Sequence, residues 1–557
     1  MMETCLAPKH MYNTPNQTID AASRDFADLQ SLPTLLASLP KRIDELPARI
    51  AQHQPAALAL IENNRHLSYA DLRDAIDAMA QQLRLMGVQE NDRIMIINEN
   101  CIALIVLMLA LTRLNAWPLP VNARLTRVEI DRIRAHANPL LSIYTLDASP
   151  AAQQHAKHDH AHPLAYVAFN LGALAFAKAS TSPRSLGNPL MRHDAPSEAQ
   201  NPATDTCQQC AALLYTTGTT GAPKGVMLSH RNLLFIAAVS STLRRVTAND
   251  VVYAVLPISH VYGLASVCLG TLFAGASLRL APRFSPESVC AALAHESITI
   301  LQGVPAMHAK LIEYAQAHPE RWHAPQLRFV YSGGAPLDLA LKRRAEAFYG
   351  MSLHNGYGMT ESSPTIAQTR LDLAPTDTSV GPPIPGIQVR IVGPDGAHLK
   401  PGKVGELWIQ GPNVMLGYYR DSLATQSTIA NGWLKTGDLA RQDENHALHI
   451  MGRCTELIIR AGFNVYPAEI EQVLNSHPDV MHSAVVGRSS SSDEEIIAFI
   501  ELKPGLHATP QTFASWCVTR LAPYKQPAEI HLLKALPTAP TGKILKRALQ
   551  QLVTDGN

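Results

Sequence analysis

The feature that most limits the fold is a helix–strand–helix rhythm between residues 68 and 114. Ser68 followed by Asp71 makes a box-like arrangement able to cap a helix. Leu72, Ile76, Met79 and Leu83 then recur at helical spacing, and Gly87 stands where a helix ends. Residues 93–97 read as a buried strand and 101–114 as the next helix. Residues 101–111 form an unbroken apolar run, too short to span a bilayer and suited to a buried helix. Elements alternating at this pace imply a mainly parallel sheet covered by helices.

Size and charge narrow the function. With 557 residues and 46% hydrophobic content, the chain can build several domains or one large enzyme, and global disorder is excluded. The 47 Lys+Arg against 46 Asp+Glu leave a formal net charge of +1, which argues against a nucleic-acid partner bound by phosphate neutralisation. Residues 1–10 lack the apolar stretch of a secretory signal, and the final Thr-Asp-Gly-Asn is no organelle address. The eight cysteines are dispersed, so a reducing cytoplasm and no transmembrane segment are expected.

Along the chain, residues 1–50 are polar and proline-punctuated and predict an N-terminal extension without a core. From 146 to 206 the pattern fades. His155, His158, His160 and His162 there read as a solvated loop rather than a metal site, and Cys207 and Cys210 as ordinary thiols before a strand. Residues 389–392, 406–410 and 448–451 are β-like runs between turns. Beyond 453, a helix at 467–476, strands at 483–486 and 496–502 and a last helix at 512–521 predict a compact α+β unit. The expected domains are therefore 51–455 and 456–557.

The densest chemical signal is Tyr215-Thr-Thr-Gly-Thr-Thr-Gly-Ala-Pro-Lys-Gly225. Gly218, Gly221 and Gly225 let the backbone turn tightly and present N–H groups. Thr216, Thr217, Thr219 and Thr220 add hydroxyls, and Lys224 a cation: the donors a polyphosphate needs. It is not a Walker loop, because Lys224 follows Pro223 and no Gly-Lys-Ser/Thr occurs.

This loop resembles the phosphate-binding signature of the acyl-CoA synthetase family within the adenylate-forming superfamily. Six further stretches resemble that family's motifs in the same order: 256–263, 332–337, 356–361, 433–438 with 452–453, 462–471 and 540–547. The resemblance implies an α/β fold. A large N-terminal domain of layered sheets with a β-barrel-like subdomain would be followed by a small mobile α+β C-terminal domain. It implies ATP, Mg²⁺ and coenzyme A as cofactors, a small-molecule carboxylic acid as substrate, and allows a homodimer.

The chemistry accounts for the residue types. A carboxylate becomes a good acyl donor when its oxygen displaces pyrophosphate at the α-phosphorus of ATP, and cations must separate the two anions. By resemblance, Lys543 bridges carboxylate and α-phosphate, Glu361 holds Mg²⁺, and Thr360, near the adenine, and His260 complete the catalytic set. One unit charge at ~4 Å and effective dielectric ~20 is worth ~4 kcal/mol, about a thousandfold in rate. Gly334, Ala335, Pro336, Asn355, Gly356 and Tyr357 would line the adenine. Asp438 and Arg453 would take the ribose, and His260, Tyr262, Gly333 and Gly334 would border the acyl pocket. Glu456 is the hinge, and a swing of the small domain would bring Arg460 and Gly462 to the thiol channel. Without the motif context Glu361 would be a surface acid, Asp438 a turn residue, Tyr357 core, His260 with Tyr262 a core pair, and Lys543 a solvated lysine.

Departures are few. Thr455 replaces the lysine usual before the hinge acid, and Ile459 and Ala461 replace lysines of plant hydroxycinnamate ligases, which brings the segment closer to bacterial fatty-acid ligases. Asn445-His446 replaces an Asp-Gly turn, with Asn445 expected to take the left-handed conformation. The leading expectation is a ligase for a fatty or other apolar acid, with an aryl-acid ligase next. The alternatives are an adenylating enzyme that loads a carrier protein and a non-catalytic nucleotide-binding regulator.

Overall fold

The computed structural model describes residues 32–165, 169–178, 205–217, 223–372, 376–460, 463–489, 494–538 and 544–554. The Ser68 hydroxyl accepts the Asp71 N–H, and the Asp71 carboxylate takes the Ser68 N–H. That reciprocal cap starts the helix Tyr69–Leu85, whose Leu72, Ile76, Met79 and Leu83 are all buried. Gly87, at φ +91°, ends it.

The helix Ile102–Arg113 is buried from Ile102 to Thr112. It packs on the strand Leu58–Glu62 of one sheet and on Arg93–Asn98 and Trp117–Asn122 of another, which is why it has no polar face. Each fully buried Leu, Ile or Val contributes about 1.5–3 kcal/mol, so an acidic substitution at Leu107 would break the layer.

The larger sheet has eight strands. From Leu353–Gly358 through Phe329–Ser332, Ile300–Gly303, Val251–Ala254 and Ser277–Leu280 to Leu58–Glu62 the pairs are parallel, and Thr365–Gln368 and Arg65–Ser68 close the edges antiparallel. A second sheet joins Trp117–Asn122, Arg93–Asn98 and Leu141–Thr145 in parallel, then Leu174–Lys178 and His162–Pro163 antiparallel. An antiparallel sheet of Gln388–Val392, Gly405–Gln410, Trp433–Gln442 and Leu448–Arg453 follows. The C-terminal α+β unit carries Val480–Ser489, Glu494–Leu502 and Glu529–Leu533, with its own apolar core around Ile470, Leu474, Ile496 and Phe513. No helix of the described residues is long and apolar enough to cross a membrane.

Four expectations need correction. The N-terminal stretch does reach the core: Ile43 and Leu46 are buried, and the Ile43 N–H donates to His230 Nδ1 at 3.1 Å. The histidine-rich stretch is not a loop, since Pro150–His158 is a helix and His155 Nε2 lies 3.0 Å from the Ala123 carbonyl. The helix at Pro510–Val518 is not the last, because Lys546–Thr554 follows it. At the Asn445-His446 turn the left-handed residue is His446, at φ +63°, while the Asn445 and Ala447 N–H groups are both held by the Asp443 carboxylate at 2.9 Å.

Candidate active site

Parallel sheets leave their carboxyl-end loops free to bind ligands, most readily where neighbouring connections diverge. Ile300–Gly303, Phe329–Ser332 and Leu353–Gly358 deliver Gly303, Gly333, Gly334 and Gly356 to one rim. Gly334 is left-handed at φ +77°, which a side chain would strain. The turn Thr360–Ser362, between antiparallel strands, sets Thr360 and Glu361 on the same rim, both buried.

Glu361 is held from two directions. Its carbonyl accepts the Met415 N–H at 2.9 Å, and its Oε1 accepts the Tyr418 hydroxyl at 2.8 Å. Burial, then Glu361, raises the Tyr418 pKa, so the phenol stays protonated and donates. Tyr418 pairs with Val226 on the strand Pro223–Ser229, which returns from the Gly/Thr loop. Lys224 pairs with Thr216 across that hairpin, and its ammonium lies 5.0 Å from the Tyr418 ring centre. Lys224, Tyr418 and Glu361 are therefore contiguous. Tyr418 fixes Oε1, so Glu361 could offer Oε2 to a metal. One carboxylate is a donor set that would suit Mg²⁺ if phosphates bind nearby, since that ion keeps waters and binds through phosphates.

A second cluster centres on Asp438. The Tyr357 hydroxyl donates to Asp438 Oδ2, and Arg453 Nε lies 2.7 Å from Oδ1. Burial, then Asp438, holds the Tyr357 pKa well above the phenol range. Burial opposes the charge of Arg453, but Asp438, Tyr357, Glu456 and Glu361 outweigh it and raise the pKa. The Asn355 side chain reaches the Thr378 carbonyl at 3.3 Å and accepts the Gly356 N–H at 2.9 Å, stiffening the strand below Tyr357.

The rim around Gly333 is lined by residues the motifs named and by residues they missed. His260 is exposed at the rim, not part of a core pair, and its Nδ1 accepts the Tyr262 N–H at 3.3 Å. Tyr262 is buried and its hydroxyl has no partner among the described residues; a Cβ on Gly333 would stand 3.3 Å from both Tyr262 and Tyr331. Tyr331 crosses in front of Gly356, where a Cβ would overlap its hydroxyl. Behind Tyr331 the buried Arg244 guanidinium sits 4.3 Å from the ring centre and donates to Gln302 at 2.8 Å and Gln368 at 3.2 Å. No motif flags Arg244, whose partners lie 58 and 124 residues away. Tyr331 was readable only as the residue before Ser332-Gly-Gly.

The structure brings together Lys224, Thr360, Glu361, Asn355, Gly356, Tyr357, Asp438 and Arg453. Ala335 and Pro336 follow Gly334 on the rim loop. Arg460 does not join them: its Nη1 donates to the Gln526 carbonyl at 2.6 Å within the C-terminal unit. Glu456 instead meets Lys546 at 3.0 Å. Gly218, Thr219, Thr220, Gly221, Gly462 and Lys543, and the side chain of Thr217, lie outside the described residues.

The family model described as AMP-binding enzyme matches residues 47–419, and that of the AMP-binding enzyme C-terminal domain matches 469–543. The chain is 32% identical over 505 residues to a feruloyl-CoA synthase of Amycolatopsis sp., covering 90% of this chain and 96% of the relative. Among solved structures it resembles ATP-bound MatB from Rhodopseudomonas palustris (TM-score 0.77, 29% identity, 92% of this chain and 99% of that one). It also resembles the O-succinylbenzoate coenzyme A synthetase of Bacillus subtilis in complex with ATP and magnesium ion (TM-score 0.75, 26% identity, 91% and 99%). The chain belongs to the AMP-binding enzyme family, as an AMP-forming acyl-CoA synthetase of the adenylate-forming superfamily.

Proposed function

We propose that this ligase joins a compact, flat carboxylic acid of the aryl type to coenzyme A by way of an acyl-adenylate, using ATP and Mg²⁺. The observation that carries the choice of acid is Tyr331 standing in front of Gly356, with Tyr262 packed beside it against Gly333. Tyr262 and Tyr331 meet edge to face with ring centres 6.2 Å apart, and Arg244 holds Tyr331 from behind, so this wall offers a fixed aromatic surface that suits a planar acid better than an extended alkyl chain. The likeness to a feruloyl-CoA synthase supports the aryl reading over the fatty one.

In this reading the Gly/Thr hairpin with Lys224 receives the phosphates, and the Tyr357 ring lies along the adenine. Asp438, oriented by Arg453, accepts a ribose hydroxyl. Bound Mg²⁺ would neutralise phosphate charge, held by Glu361 with Tyr418 fixing the other oxygen. Lys543 stands between the attacking carboxylate and the α-phosphate, and AMP leaves when the thiol of coenzyme A attacks the acyl carbon. A swing of the smaller unit at Glu456 would bring Arg460 and Gly462 to the thiol path. The seven cysteines of the described residues are free thiols, which supports a reducing compartment.

Two assays test this. Pyrophosphate exchange across a panel of alkyl and aryl acids should favour aryl acids, and a preference for long alkyl acids would refute the acid class. Lys543→Ala should abolish exchange yet still convert supplied acyl-AMP and coenzyme A to thioester; equal loss of both steps would refute its role. Transfer to a phosphopantetheine carrier in preference to free coenzyme A would favour the carrier-loading reading instead.

A further inference from the structure

The turn Cys454–Glu456 leaves the large unit directly after Arg453, which is bound to Asp438. Glu456 Oε2 lies 3.0 Å from Lys546 Nζ, and the same ammonium lies 2.8 Å from Glu471 Oε1. Glu471 is itself fixed, because that oxygen also accepts the Val485 N–H at 2.8 Å, tying the helix Pro467–Asn475 to the strand Val480–Ser489. Lys546 is thus the cation between an acid at the junction of the two units and an acid anchored in the smaller one.

Helix stability does not account for a lysine here. Lys546 is the first residue of the helix Lys546–Thr554, where a cation meets the positive end of the helix dipole, an unfavourable placement. The helix is secured in another way, by Leu549 and Val553 packed against Ala484, Val486, Ile497 and Phe499. Burial alone would lower the Lys546 pKa, but Glu471 and Glu456 outweigh it and raise it, so the cation persists. Without it two carboxylates would face each other in a half-buried site, and attraction would turn into repulsion.

Lys546 also lies at the root of the segment that carries Lys543. Thr538 and Ile544 pair antiparallel, and the Leu545 N–H donates to the Pro537 carbonyl at 2.8 Å, so the chain just before 539 and the chain just after 543 are held together at one base. We propose that Lys546 is a positioning residue: by holding Glu456 and Glu471 together it fixes that base relative to the large unit, and so sets where Lys543 is presented. This rests on the assignment of Lys543 to the adenylation step.

The test uses the full chain, with pyrophosphate exchange for adenylation and thioester formation from supplied acyl-AMP and coenzyme A for the second step. Lys546→Met should lower kcat for exchange about tenfold or more with KM for ATP little changed, since a misplaced group costs rate rather than binding. The second step should be retained, and Lys546→Arg should recover most of the exchange. Unchanged exchange in Lys546→Met, or equal loss of both steps that Lys546→Arg does not rescue, would overturn the proposal. If Lys546→Met does not fold, Glu456→Gln, which removes one acceptor and keeps the volume, is expected to show the same selective loss of kcat, and normal exchange in it would overturn the proposal. Lys543→Ala runs alongside: full exchange in that variant would defeat the underlying assignment, whatever Lys546→Met does.

Discussion

Replacing Tyr418 by phenylalanine removes one oxygen atom and nothing else from the neighbourhood of Glu361. The lost bond is 2.8 Å long, buried, and made to a carboxylate. Hydrogen bonds to charged groups contribute about 1.5–3 kcal/mol, so Glu361 would lose that much restraint and leave Oε1 without its donor. Two effects compete. The phenol withdraws charge from the carboxylate, which weakens a metal ligand, and it fixes the carboxylate orientation, which strengthens one. Orientation should win, because losing an outer-shell partner of a metal ligand commonly costs about 10–100-fold in metal affinity. The assay is pyrophosphate exchange titrated with Mg²⁺ at saturating ATP. The half-saturating Mg²⁺ concentration should rise by about 10–100-fold, and excess Mg²⁺ should restore most of the rate. A rate loss that persists at saturating Mg²⁺, with an unmoved midpoint, would refute the claim that Tyr418 works through the metal site.

Two further outcomes are expected. Tyr331→Ala should broaden the acid range toward longer chains while destabilising the protein by about 3–5 kcal/mol, read as a fall in Tm; an unchanged acid profile would place the end of the pocket elsewhere. His308 is buried, donates from Nε2 to the Tyr331 carbonyl at 3.1 Å and accepts the Tyr349 hydroxyl at Nδ1, and burial lowers its pKa to about 4. Unfolded, it would titrate near 6.5, so between those values the unfolded chain binds the proton and the folded one does not. The neutral side chain's contribution is complete above pH ~6.5 and falls by roughly 3 kcal/mol as pH drops to ~4. Melting curves from pH 7 to 4 should therefore fall more steeply for the parent than for His308→Gln, and parallel slopes would refute the linkage.

The helices at Tyr69–Leu85 and Ile102–Arg113 and the strand Arg93–Asn98 were legible because caps, spacing and apolar runs act over a few residues. The seven motifs likewise named Glu361, Tyr357, Asp438 and Arg453, because each lies within a short, chemically constrained turn or strand. The left-handed residue at 446 was misread, since which of two adjacent residues takes φ > 0 depends on the carboxylate of Asp443 rather than on propensity alone.

What the sequence determined by itself was the layered α/β plan and the reaction class, both written in contiguous stretches. The tertiary structure alone decided that Tyr418 holds Glu361 across 57 residues, that Arg244 backs Tyr331, and that Lys546 grips Glu456 across 90. These pairs arise from the register and stacking of whole sheets and helices. Such placement minimises the free energy of the packed molecule as a whole and has no periodic signature along the chain.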